Sequence, residues 1–226
     1  MNGRAMPPRD EDELVRRADV LAGVSLGEIA TTLGLAFDAD GVRTKGKGGE
    51  LLERALGATG GSAKVHDFPE LAIEMKSIPV DEKGRPHEST YVCTLPMEDA
   101  DRVEWDTSWV RSKLARVLWV PLVSPHDAPH AERRVGRARL WSPTPEQDAV
   151  LRADFDDAMG AIALGHVEAL TAHSGRWLQV RPKARDGAAR TLAWGADGDR
   201  IPTVPRGFYL RASFTGAILA DPRAMP

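Results

Sequence analysis

The run Asp67-Phe68-Pro69-Glu70-Leu71-Ala72-Ile73-Glu74-Met75-Lys76 holds carboxylates and an ammonium close enough in sequence to act on one substrate. Alternation along an extended strand puts Leu71, Ile73 and Met75 on one face and Ala72, Glu74 and Lys76 on the other. Glu74 and Lys76 are then roughly 6 to 7 Å apart at the backbone, and Asp67 can enter from the turn before the strand. Such a set suits phosphodiester hydrolysis. Carboxylate oxygens are hard ligands for Mg²⁺ on a phosphate oxygen, and a lysine can orient water and offset developing negative charge. The competing reading is a solvated strand face on which Glu74 and Lys76 form a surface ion pair of little energetic consequence. The pattern alone leaves both open.

The elements that must position these residues are readable in part. Asp10 to Leu21 reads as an opening helix, and Ser25-Leu26-Gly27-Glu28 matches a capping box that starts a second. Lys45 to Gly49 reads as a loop leading into an amphipathic helix over Glu50 to Leu56, which breaks at Gly57, Gly60 and Gly61. A largely helical first lobe follows from this. A strand is expected from Leu71, then a turn at Glu82-Lys83-Gly84-Arg85-Pro86, then an antiparallel partner over Ser89 to Leu95. Trp109 to Ala115 reads as helix, Val117 to Val123 as an apolar strand interrupted by Pro121, and Pro145 to Leu170 as a long acidic helix. Short strands at Trp177 to Arg181 and Phe208 to Leu210 precede a terminal helix. No repeat or long linker divides the chain, so residues 1–226 are expected to form a single domain with two lobes and a flexible tail at 1–9.

Composition narrows the function classes. No apolar run is long enough to cross a bilayer, and the polar start lacks the hydrophobic segment of a secretory signal, so a cytoplasmic protein is expected. The single cysteine, Cys93, lies in an apolar run and reads as a small buried hydrophobe. A net charge of −3 excludes a globally basic DNA binder. Charge is nonetheless segregated: acids crowd into Asp10–Glu13 and Glu146–Asp157, while Arg111–Arg116, Arg133–Arg139 and Arg176–Arg190 are basic and would have to meet any polyanion. Gly57 to Lys64 lacks the spacing of a phosphate-binding P-loop, and the prolines at 125 and 129 exclude the helix that would align His126 and His130 as zinc ligands.

The Asp, then Glu-x-Lys arrangement is that of the restriction-endonuclease superfamily, and its flanks are more specific. Lys45-Gly46, Leu51-Leu52-Glu53, Leu56-Gly57-Ala58, Asp67-Phe68, Glu74-Met75-Lys76, Ile78-Pro79-Val80-Asp81 and Gly84-Arg85-Pro86 follow in the order seen in the MutH family of mismatch-repair endonucleases. Val110-Arg111, Lys113-Leu114, Arg116-Val117-Leu118-Trp119, Arg133-Arg134-Val135-Gly136, Leu140-Trp141-Ser142-Pro143, Arg181-Pro182-Lys183 and Pro205-Arg206-Gly207-Phe208-Tyr209-Leu210 extend the likeness. The chain resembles that family from Leu14 to Leu219. It departs at Trp109 and Ser112, at Tyr91, which stands where phenylalanine is usual, and over Asp221 to Pro226.

The resemblance implies an α/β fold with a restriction-endonuclease-like mixed β-sheet flanked by helices, its two lobes forming a DNA-binding cleft. It implies Asp67, Glu74 and the backbone carbonyl of Met75 as Mg²⁺ ligands, Lys76 beside the attacking water, and Glu53 as a further catalytic carboxylate entering from the first lobe. Mn²⁺ is expected to substitute, and Ca²⁺ to bind without supporting cleavage. Lys45, Tyr91, Lys113, Arg181, Pro182, Lys183 and Tyr209 are the implied DNA contacts, with Tyr209 sensing adenine methylation. An N6-methyl group removes a hydrogen-bond donor and adds bulk at the major-groove edge, where a rigid ring can discriminate. The implied activity is nicking of the unmethylated strand at hemimethylated GATC sites by a monomer, with MutL as activator and MutS acting through it. Alternatives are a type II restriction endonuclease cutting GATC on both strands, and a methylation-reading protein without catalysis. Intact Asp67, Glu74 and Lys76 argue against the last, since carboxylates without a metal would repel phosphate.

Overall fold

A computed structural model describes residues 3–37, 46–61, 64–123, 128–183 and 189–220. In chain order the elements are α1 (Glu11–Val20), α2 (Leu26–Thr32), α3 (Lys47–Leu56), β1 (Glu74–Val80), β2 (Thr90–Thr94), α4 (Trp109–Ala115), β3 (Val117–Val123), β4 (Arg134–Val135), β5 (Arg139–Trp141), α5 (Pro145–Ala163), β6 (Leu178–Pro182), β7 (Thr191–Trp194), β8 (Arg200–Thr203), β9 (Arg206–Leu210) and α6 (Ala212–Ala220). They fall into two compact units built from alternating stretches of chain: Met1–His87 with Arg116–Ser142, and Glu88–Ala115 with Pro143–Pro226. Among the described residues no helix is long and apolar enough to cross a membrane.

The helix starts follow local chemistry. Asp10 accepts the Glu13 amide at the head of α1, and Ser25 with Glu28 completes the expected capping box on α2. The helix α3 begins at Lys47, three residues before the expected start, with Gly46 as its left-handed N-cap (φ 95°). Arg4 and Ala5, read from the sequence as part of a flexible tail, hydrogen-bond at the end of this helix: Ala5 N–H donates to the Arg54 carbonyl and the Arg4 guanidinium to the Ala58 carbonyl.

The first unit is not mainly helical. Its three helices accompany a four-stranded mixed sheet in which β1 runs parallel to β3, while β4 and β5 pair antiparallel with β3. Leu14, Leu26, Leu51, Leu52, Ile73 and Leu118 share its core. β3 is buried along all but its last residue, as a strand covered on both faces must be, and Pro121 does not interrupt it. The Pro121 carbonyl accepts from Gly136, in the gap between the stretches paired to β5 and β4. In an extended strand a residue's nitrogen points the same way as its carbonyl, so the missing proline N–H takes nothing from the β1 ladder.

Two expectations about β1 are overturned. It begins at Glu74 rather than Leu71, because Pro69–Leu71 forms a 3₁₀ turn and Ala72 takes a left-handed conformation (φ 52°) that closes Phe68 onto Ile73. Its partner is β3, not the segment around Ser89. The turn after β1 closes on itself, the Asp81 carboxylate accepting from Lys83 N–H, Arg85 N–H and the Arg85 guanidinium, which holds that carboxyl down to about 2. The chain then leaves for the second unit, where β2 pairs with β9.

The second unit holds the antiparallel sheet β2-β9-β6, the hairpin β7-β8, and α4, α5 and α6. Its core is aromatic: Phe155 stacks on Phe208 at 5.5 Å and tilts against Trp105, and Trp177 stacks on Phe214 at 4.4 Å. α5 ends at Ala163, short of the expected Leu170, which follows a separate 3₁₀ turn. Buried Asp154 on α5 accepts the amides of Arg176, Trp177 and Leu178, fixing where β6 starts. Cys93 is free and buried, as expected.

Candidate functional site

The tight closure of Phe68 on Ile73 turns the chain back so that Asp67 lies beside β1, where its Oδ2 accepts the Met75 amide at 2.8 Å. Glu74 donates its own N–H to Arg116, toward β3, so the next residue's N–H and carbonyl point to the other edge of β1. The Met75 carbonyl is thereby on the side of Asp67. Glu74 is 1% exposed, and its Oε1 receives the Lys76 ammonium at 2.6 Å. The pair is therefore no solvated surface bridge, and the alternating half-buried strand face does not hold at Glu74.

Glu53, on the last turn of α3, faces the same cluster from within the same unit, and not from a separate helical lobe. Burial first, then the negative charges of Asp67, Glu50 and Glu74, push its carboxyl up to about 7, against the pull of the Arg4 guanidinium. The loop after α3 sets the other side: Thr59 and Gly60 amides both donate to the Asp67 carbonyl. A Cβ on Gly60 would lie 2.0 Å from the His66 carbonyl oxygen, so glycine is required for the loop to sit there. Arg4 and Gly60 were not singled out from the sequence; the glycine run was the one available signal. Among the described residues no three Asp, Glu, His or Cys side chains already stand together as a metal clamp.

The second unit gathers four of the implied DNA contacts on one face of β2-β9-β6. Tyr91 and Tyr209 are cross-strand partners whose rings meet edge to face at 5.3 Å. The Lys183 ammonium lies 3.8 Å from the Tyr91 ring centre and donates to its hydroxyl, which also meets Thr94 at 3.0 Å. The Arg181 guanidinium lies 6.0 Å from the Tyr209 ring and donates to Ser89 Oγ. Burial, then Tyr91, raises the Tyr209 phenol, and Arg181 lowers it. Pro182 is exposed between the two cations at the end of β6. The opposite face carries Val92, Val180, Phe208 and Leu210, all buried.

Lys113 is in this unit too, on α4, its ammonium 5.1 Å from the Trp109 ring. Lys45 and His126 lie outside the described residues, and His130 sits in a short 3₁₀ turn. Gln179, and Ser89, which accepts from both Gln179 and Arg181, carry no sequence signal of their own.

A mixed sheet flanked by helices, with an Asp and a Glu-x-Lys drawn together at its edge strand, defines a restriction-endonuclease-like protein. The family described as DNA mismatch repair enzyme MutH matches residues 56–154. The DNA mismatch repair protein MutH of Serratia proteamaculans is 51% identical over 95% of this chain and 94% of its own. That of Shewanella amazonensis is 50% identical over 95% and 96%, and that of Escherichia coli K12 49% over 95% and 93%. The chain belongs to the MutH family.

Proposed function

We propose that this chain is a methylation-sensitive endonuclease of mismatch repair, nicking the unmethylated strand at hemimethylated GATC sites by Mg²⁺-dependent hydrolysis. The observation that carries the reading is buried Glu74 paired with half-buried Lys76 beside Asp67, with the Glu53 carboxyl pushed up to about 7 by burial and then by the neighbouring carboxylates. Buried Glu74 with half-buried Asp67 and Glu53, carboxylates that repel one another and carry hard oxygen donors, fits a divalent cation. Asp67, Glu74 and the Met75 carbonyl would hold Mg²⁺, with Mn²⁺ as a substitute and Ca²⁺ as a non-productive occupant. When bound, the ion supplies Lewis-acid stabilisation of the phosphate charge.

The chain's own residues supply the rest. Lys76, fixed by Glu74, orients the attacking water and offsets charge at the phosphate, and Glu53 completes the carboxylate set. Lys113 and Lys45 contact phosphates, which position the duplex. Arg181, Pro182, Lys183 and Tyr91 meet the GATC edge, and Tyr209 tests the adenine N6 position. The chain acts as a cytoplasmic monomer with MutL as activator and MutS upstream. The supporting likeness is to curated mismatch-repair relatives over nearly the whole length.

The test is a hemimethylated GATC plasmid with Mg²⁺, with and without MutL, comparing wild type with Glu74→Ala. Nicking confined to the unmethylated strand, stimulated by MutL and lost in the variant, is expected. Equal nicking by Glu74→Ala would remove the site assignment, and strong double-strand cutting without MutL would replace the repair role with restriction.

A further inference from the structure

Arg181 and Lys183, among the described residues, have no carboxylate partner; neutral side chains of the segment at and just before β2 hold them instead. Space for this comes from β9. Gly207 has no side chain, and a Cβ there would lie 2.9 Å from the Tyr91 ring. Lys183 thus reaches Tyr91, while Arg181 leans along the Tyr209 ring to Ser89.

Ser89 is the informative member. Its Oγ lies 2.6 Å from the Gln179 amide nitrogen and 3.1 Å from Arg181 Nη1. Both are donors, so both lone pairs of the hydroxyl are engaged and only its own proton remains to be given. Gln179 is 3% exposed and opposite Tyr209 in the ladder, so the anchor behind Ser89 is part of the sheet's interior. Arg181 likewise has nothing to accept with. Ser89 and Arg181 therefore each have only donors left to offer, in a geometry fixed from below by a buried amide.

We propose that Ser89 is a positioning residue for Arg181, holding the guanidinium against an acceptor edge of a base, such as the O6 and N7 of guanine, and not against an amine-bearing edge. This rests on the reading that the face contacts DNA. A free arginine samples many rotamers, and ordering them on binding weakens the complex; a guanidinium already hydrogen-bonded at the right place avoids that loss.

The test is a double-mutant cycle on the full chain with Ser89→Ala, Arg181→Ala and the double variant. Affinity is measured in metal-free buffer for a hemimethylated GATC duplex and for one with its G·C pair inverted. Ser89→Ala should lower discrimination by about 3- to 10-fold, the worth of one hydrogen bond. Ser89→Thr, which keeps the hydroxyl, should restore it, and Ser89→Ala should add nothing once Arg181 is alanine. Equal losses in both backgrounds, or on both duplexes, would overturn the proposal. The arginine side-chain ¹⁵N–¹H signals of the DNA-free protein separate the two readings. If Arg181 is ordered in wild type and loosened by Ser89→Ala while no variant prefers GATC, positioning holds and DNA reading fails. If its signal ignores Ser89, positioning fails whatever the DNA result.

Discussion

The rings of Tyr91 and Tyr209 meet across paired strands at 5.3 Å and 63°, so neither can turn without displacing the other. Tyr209 is half-buried in this contact. A ring so held can reject added bulk at adenine N6, whereas a mobile one would swing aside. Tyr209→Ala is therefore expected to lower the preference for unmethylated over methylated strands by about tenfold, the scale of one discriminating contact. Strand-specific nicking of hemimethylated against fully methylated duplex measures it, and unchanged discrimination would end the sensor role.

Burial of the Glu74–Lys76 pair has a separate consequence for stability. Glu74 is 2% exposed at its side chain and Lys76 15%, so deleting the cation takes an ammonium from a carboxylate that cannot reach water. Lys76→Met is expected to cost ~2 to 4 kcal/mol in metal-free protein, and Glu74→Gln clearly less, because lysine can extend toward solvent. Urea unfolding with EDTA decides this; equal midpoint shifts would mean that the two ends are equally solvated.

Local features of the fold were legible in the sequence and non-local ones were not. Asp10, Ser25 and Glu28 announce helix starts because a cap is made within three residues. The Leu71–Lys76 alternation misled at its start because a 3₁₀ turn and left-handed Ala72 also fit it. The partner of β1 was misjudged because a turn signal at Glu82–Pro86 says that the chain turns, not that it returns along the same strand. β4 is two residues long, and Leu192 and Trp194 of β7 are exposed, so neither strand offers a buried alternating face. At the site, Asp67, Glu74 and Lys76 lie within one turn and strand, so spacing could bring them together, but their chemistry stayed open until the flanking residues were compared with the family. Glu53 came from family resemblance, and Ser89 and Gln179, brought together across 90 residues, from neither.

Glu53 makes the metal-free protein sensitive to pH. Its carboxyl is raised from an ordinary 4.5 to about 7, so the folded state binds a proton that the unfolded chain releases. The contribution to stability is fully present below pH 4.5 and is lost as pH rises through 7. After discounting for its partial exposure, the change is on the order of 1 to 2 kcal/mol. Glu53→Gln should flatten this part of the profile in EDTA and abolish nicking in Mg²⁺. A wild-type profile with the same slope as the variant's would show that neither burial nor the neighbouring carboxylates raise Glu53.

Gly60 offers a way to move Asp67 without touching any charged group. The Thr59 and Gly60 amides hold the Asp67 carbonyl at 2.9 and 3.1 Å, and this approach brings Gly60 against His66. A methyl group at 60 would lie 2.0 Å from a backbone oxygen, which cannot rotate away as a side chain would. The loop must retreat, and Asp67 with it, loosening the contact of its carboxylate with the Met75 amide. Gly60→Ala is expected to cost ~1 to 3 kcal/mol and to reduce nicking by at least about tenfold. Gly61→Ala is the control: nothing lies within 4 Å of its Cβ, and its positive φ of 60° brings only backbone strain. If both variants lose stability but only Gly60→Ala loses activity at a temperature where each is folded, the loop's effect runs through Asp67. Equal activity in the two would mean that Asp67 keeps its place without help from the glycine turn.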